Sequence, residues 1–236
     1  MDFERPLPVN PNYEAIHPVV SCDEYRGAKR DQANKILAAY VNDHGIDQFV
    51  NAIMGGQYCH VDGMSYGGQR PTWSNEILSM ILTPYKSTAE NVSIVEYHSG
   101  LGPYGYGTAV TMQTGRELEK VRNTYGHWLE APHERSAGSS QQFHQITGHP
   151  TEGFRRAFPD AELSAIVLEY GTYPPMESLT VMLDDHWLTH FGDIHSDEGK
   201  EIKGQLHALH YPHDEDWRQA IWDRSVQVIQ QTIRGL

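Results

Sequence analysis

Cysteine is scarce in this sequence. Cys22 and Cys59 are the only two in 236 residues, and neither stands in a Cys-x-x-Cys pair. That excludes a disulfide framework and a thiolate zinc knuckle, and leaves two reduced thiols. Positive charge is short as well: 18 Lys and Arg face 31 Asp and Glu, for a net charge of −13. Long-range attraction to nucleic acid or to an anionic membrane is therefore disfavoured. No run approaches the roughly 20 apolar residues of a bilayer span, and the opening Met1-Asp2-Phe3-Glu4-Arg5-Pro6 has no apolar secretory core. The chain reads as soluble and cytoplasmic, with a small molecule or a peptide as its partner. Two catalytic signatures are missing too: the Gly-x-Ser-x-Gly elbow of a serine nucleophile and the Gly-x-x-x-x-Gly-Lys-Ser/Thr cradle of a nucleotide phosphate.

Histidine, by contrast, is plentiful. There are 14, and imidazole is both the commonest metal ligand and the side chain that titrates near neutral pH. The length suits a single domain with a sizeable core, without internal repeats. The first 18 residues, with Pro6, Pro8, Pro11 and Pro18, predict an extended, turn-laden segment. Ala33, Ile36, Leu37, Tyr40 and Val41 follow the stripe of an amphipathic helix that Gly45 stops. Five glycines between Gly55 and Trp73 predict a loop of sharp turns, and Ser74 then offers an N-cap for a helix that Pro84 closes. After Pro174-Pro175 the pattern is helical, ending in a segment from Asp214 with Trp222, Val226, Ile229 and Ile233 as one stripe. The His-, Gln- and Ser-rich stretch from Gly126 to Gly153, with His127, His133, His144 and His149, has no period and reads as a long loop or lid.

Two apolar runs, Val92–Tyr97 and Leu163–Tyr170, predict buried, central, parallel strands covered by helices. The fold class is thus α/β, with a mixed, mostly parallel sheet flanked by helices. In such sheets ligands bind beyond the carboxyl ends of the strands. These two runs deliver Glu96-Tyr97-His98 and Glu169-Tyr170-Gly171 to that edge. Alternation puts Glu96 and His98 on one face, an arrangement that suits a carboxylate bracing a metal-bound imidazole. Read alone, His98 is either a metal ligand or a hydrogen-bonded structural residue. Glu169, ending an apolar strand, is either a partly desolvated proton-transfer group or a salt-bridged strand end. Weaker signals are the pair His60 and Asp62, also explained by a turn, and His186, His190 and His195 at near-helical spacing.

Gly55-Gly56-Gln57-Tyr58, Asp62-Gly63 with Tyr66-Gly67-Gly68, Pro71-Thr72-Trp73-Ser74, His98-Ser99-Gly100-Leu101-Gly102-Pro103-Tyr104-Gly105 and Leu168-Glu169-Tyr170-Gly171-Thr172 together resemble a bacterial branch, of unknown function, of the zinc carboxypeptidase superfamily. The resemblance implies a single α/β domain, 1–236, and one zinc ion held by two histidines and a glutamate. It makes His98 the strand-end metal ligand, Glu169 the general base that deprotonates zinc-bound water, and the reaction hydrolysis of an amide or peptide bond. In that family the other two ligands come from an early His-x-x-Glu motif. None stands ahead of His98, so this reading leaves two of the three ligands missing. The family's Asn-Arg-Asn-Phe stretch, normally just before an Asp-Phe like Asp2-Phe3, is not seen either. The expectation is a chain that begins inside the family's domain, binds zinc weakly alone, and self-associates through uncovered sheet edges. Two other expectations compete: a non-catalytic small-molecule or peptide-binding protein with a degenerate metal site, and a different metal site built from His98, His60 and the loop histidines.

Overall fold

The computed structural model describes residues 6–126, 128–134 and 148–236. In chain order the elements are α1 (Tyr13–Val20), α2 (Ala28–His44), α3 (Ile46–Met54), α4 (Trp73–Leu82), β1 (Asn91–Tyr104), β2 (Thr108–Val110), α5 (Gly115–Tyr125), α6 (Pro150–Ala157), β3 (Glu162–Gly171), α7 (Pro175–Phe191), α8 (Asp197–His210) and α9 (Glu215–Gly235). They divide into two compact units, Met1–Trp73 with Met176–His207 and Ser74–Pro175 with Ala208–Leu236.

The first unit is helical. Tyr13, Ile16 and Val20 of α1 pack with Phe49, Ala52 and Ile53 of α3, Met64 of the following loop, and Leu179 and Leu183 of α7. The expected extended opening is corrected here: α1 is a helix with Pro18 inside it. Proline removes the bond that would reach the Glu14 carbonyl. Burial of three large side chains on one stripe outweighs that loss, at about 1.5–3 kcal/mol each. Leu37, Tyr40 and Val41 of α2 back the same core, on the expected stripe.

The second unit holds the sheet, ordered β1-β3-β2 among the described residues. The sheet is mixed. β1 runs parallel to β3 in a register from Asn91↔Glu162 to His98↔Glu169, and β2 runs antiparallel to β3 with Thr108↔Glu169. Ile166, Leu168 and Tyr170 of β3 enter a core with Ala109, Leu118, Val121 and Tyr125, closed by Trp217 and Val228 of α9. Val167, on the other face, meets Val110 with Leu101 and Met112 beside it. Both expected strands form, but only β3 is central, and it is buried from Leu163 onward. β1 lies at one end of the described sheet and is half-exposed, because its apolar run alone cannot reveal which neighbours flank it.

Two helices differ from expectation. α4 begins at Trp73, so Ser74 lies in its first turn, and the helix buries none of its residues. On α9, Asp214 caps the N-terminus by accepting from the Asp216 and Trp217 amides, and the buried residues are Trp217, Val228 and Thr232. The stripe Trp222, Val226, Ile229, Ile233 faces outward, with Trp222 66 % and Ile233 67 % exposed. Two apolar stripes interleave on this helix about 100° apart, and periodicity cannot choose between them. No helix among the described residues is long and apolar enough to cross a membrane. Cys22 and Cys59 are both free thiols, as expected.

Candidate active site at the ends of the parallel strands

The parallel register seats His98 directly beside Glu169, near the carboxyl end of β3 and near the end of β1's continuous pairing with it, although β1 itself runs on to Tyr104. Alternation puts Glu96 on the same face, and Tyr97 on the other, where its ring stacks on Tyr170 at 6.4 Å. The His98 ring lies between two carboxylates: Nε2 is 2.9 Å from Glu96 Oε1, and Nδ1 is 3.5 Å from Glu169 Oε2. Contact with Glu169, reinforced by Glu96, pushes the His98 pKa up to about 10. The same contact holds Glu96 below the usual carboxylate range.

Glu169 is buried, and its position is set by main chain. The segment after Gly100 folds across the end of β3, and the Leu101 amide donates to Glu169 Oε1 at 3.1 Å. This crossing is so close that a Cβ on Gly171 would sit 2.0 Å from the Gly102 carbonyl oxygen, which makes glycine obligatory there. The Gly171 carbonyl is held by the Gly105 amide at 3.0 Å and by Trp217 Nε1 at 2.9 Å. The strand end is therefore fixed from both sides.

His149 adds a second imidazole. It caps α6, with Nδ1 2.9 Å from the Thr151 hydroxyl, and it lies within the field of both Glu96 and His98. Burial lowers its pKa, so the neutral ring is favoured. The sequence carries a signal for it. His-x-x-Glu spacing occurs three times after His98, as His127 to Glu130, His149 to Glu152 and His195 to Glu198. Of these, His149 shares the field of His98, while His127 lies outside the described residues. His144 lies outside them as well, as does 135–147 of the expected lid.

The other sequence candidates fall elsewhere. His60 and Asp62 meet His17 in the first unit, where the ligand atoms of the three lie within 4.8 Å of one another. His186 and His190 meet on α7 with ring centroids 4.5 Å apart and planes tilted at 53°. His17 has no motif around it, and only the fold brings it to the other two.

A carboxylate, an imidazole and a second carboxylate thus stand together on the mixed sheet of an α/β protein. The chain belongs to the family described as "Protein of unknown function (DUF2817)", whose model matches residues 1–224. No curated protein and no solved structure matches it.

Proposed function

We propose that this is a zinc-dependent hydrolase of amide or peptide bonds, in which His98 holds the metal and Glu169 is the general base. One observation carries the reading: Glu96 occupies His98 Nε2 while Nδ1 faces Glu169 Oε2 at 3.5 Å. With Nε2–H donated to Glu96, Nδ1 becomes a ligand once the proton it shares with Glu169 is lost, and it points to where the base waits. The donor set suits zinc, which takes imidazole nitrogen and carboxylate oxygen. His149 lies in the field of this site; its Nδ1 accepts from the Thr151 amide, which leaves the neutral ring an Nε2–H to donate. Zinc in such a site lowers the pKa of a bound water from about 15.7 to about 7 and polarises a carbonyl.

The chain's own residues do the rest. Glu169 Oε1 is pinned by the Leu101 amide, so Oε2 is the oxygen that takes a proton and passes it to the leaving nitrogen. Glu96 keeps the His98 ring in one tautomer and orientation. Tyr97, on the opposite face, supports the strand and takes no part. A small molecule or a peptide is the substrate class.

Zinc content and hydrolysis of a peptide library by Glu169→Gln and His98→Ala test this. The first variant is expected to keep zinc and lose activity, the second to lose both. Full activity in Glu169→Gln would sink the assigned base. A second reading, a non-catalytic peptide-binding protein, draws on the charge balance: an imidazolium between two carboxylates is already compensated without a metal. It requires peptide binding in zinc-free buffer and no turnover after zinc is added.

A further inference from the structure

The first unit contains a group of side chains that the reading above does not use. His17 comes from α1, and His60 and Asp62 from the loop after α3. Their rings and carboxylate are already together: His17 stacks on His60 with centroids 3.7 Å apart at 20°, and His17 Nε2 lies 3.1 Å from Asp62 Oδ1. Glu14, one turn before His17, brings Oε2 to 2.9 Å from His60 Nε2. Both imidazoles are partly buried, at 22 % side-chain exposure, while Asp62 and Glu14 reach solvent.

The loop that carries two of these groups is held from within. Gln57 is buried; its Oε1 accepts from the Cys59 and His60 amides at 2.9 and 2.7 Å, and its Nε2 donates to the His60 carbonyl at 2.6 Å. A Cβ on Gly63 would sit 2.7 Å from the Tyr13 hydroxyl, so the loop presses directly onto α1. Ser21 Oγ donates to the Asp62 carbonyl at 3.0 Å and joins the loop to the end of α1. A turn needs none of this to exist, yet all of it fixes His60 and Asp62 opposite His17. A further histidine, His186 of α7, lies in the field of Asp62 and has a buried Nε2 without a hydrogen-bond partner.

We propose that His17, His60 and Asp62 form a zinc site, separate from the one at His98, with Glu14 as the fourth ligand. Two imidazoles and two carboxylates make the nitrogen and oxygen set that borderline divalent ions favour. Zinc bonds of about 2.0–2.2 Å in a tetrahedron space the ligand atoms about 3.4 Å apart. His17, His60 and Asp62 already hold their ligand atoms within 4.8 Å of one another, and Glu14 reaches the site through His60 at 2.9 Å. Binding replaces the two contacts His17–Asp62 and His60–Glu14 with metal bonds and releases any proton held between them. The ion clips α1 to the loop, and the buried Gln57 preorganises it.

The test is calorimetric titration of Zn2+ into the full chain carrying His98→Ala, which removes the metal ligand at the strand ends. One equivalent is expected to bind, and His60→Gln or Asp62→Asn to weaken it roughly 10–100-fold or more. Co2+ in place of zinc is expected to give the intense visible absorption of a four-coordinate site, lost in His17→Gln. His186→Ala leaves the stoichiometry intact. If His60→Gln lowers the melting temperature, Asp62→Asn, an isosteric change at a half-exposed side chain, decides alone. Equal zinc affinity in Asp62→Asn and its parent overturns the proposal, as does a Co2+ spectrum that stays octahedral. Since His98 is absent throughout, neither result bears on the hydrolase reading.

Discussion

The two units hold their histidines by different means. In the second, His98 and Glu169 are neighbours because two strands pair in one register, and the pairing places every residue along both runs. In the first, His17, His60 and Asp62 meet because the Gln57 side chain and close packing at Gly63 shape a loop against a helix. A register gives geometry from a repeating ladder. A loop gives it from a few singular contacts, each of which can be removed by one substitution.

That contrast is open to direct attack. The largest effect is expected at Glu169→Gln, about 10²–10⁴-fold in hydrolysis rate, with zinc affinity and melting temperature close to the parent's because the amide oxygen still accepts from Leu101. Steady-state kinetics beside thermal melts read both. Leu168→Ala, at a fully buried position of β3, is expected to cost about 2–5 kcal/mol in urea unfolding. A cost below 1 kcal/mol would mean that the ladder, not the core behind it, holds the register. Gln57→Ala leaves the Cys59 and His60 amides without their acceptor and is expected to cost about 1–3 kcal/mol. It should also weaken zinc binding at His60 while leaving hydrolysis unchanged; unchanged zinc binding would show that the loop keeps its shape by other means.

Smaller effects follow on the surface. The outward stripe of α9 and the bare face of α4 leave apolar area exposed, a route to self-association distinct from the sheet edges expected from the sequence. Trp222→Glu with Ile233→Glu should change stability by no more than about 0.5 kcal/mol yet reduce light scattering at high concentration. The smallest effect concerns Asp184, whose carboxyl is raised above its ordinary value by burial. A raised carboxyl favours the protonated form in the folded chain, so its contribution is present at low pH and fades as pH rises through the folded value. Asp184→Asn is therefore expected to raise the melting temperature slightly near pH 7, and not at pH 3.

The same contrast explains what could be read from the sequence. The β-branched runs gave both strands, and alternation with strand-end position gave Glu96, His98 and Glu169, because a ladder converts sequence order directly into space. The parallel direction of the strands was read correctly, but their neighbours were not contained in those runs, so β1 was expected at the centre and found at an end of the described sheet. α1 was missed because four prolines in the opening outweighed the spacing of Tyr13, Ile16 and Val20, whose burial becomes visible only once α3 and α7 are in place. On α9 a second stripe one residue away was the buried one. His17 could not have been found, since 43 residues separate it from His60 and no local pattern links them. His149 could have been, from its spacing to Glu152.

The hold on Glu169 has a further consequence for how this site tolerates change. The group that fixes the carboxylate is a peptide N–H, which every amino acid but proline supplies. A substitution at position 101 therefore keeps the donor to the glutamate, and the limit on its size and polarity comes from packing beside Val110 and Val167. The stricter constraint falls on its neighbour across the sheet end, Gly171, where any side chain at all would strike the crossing segment.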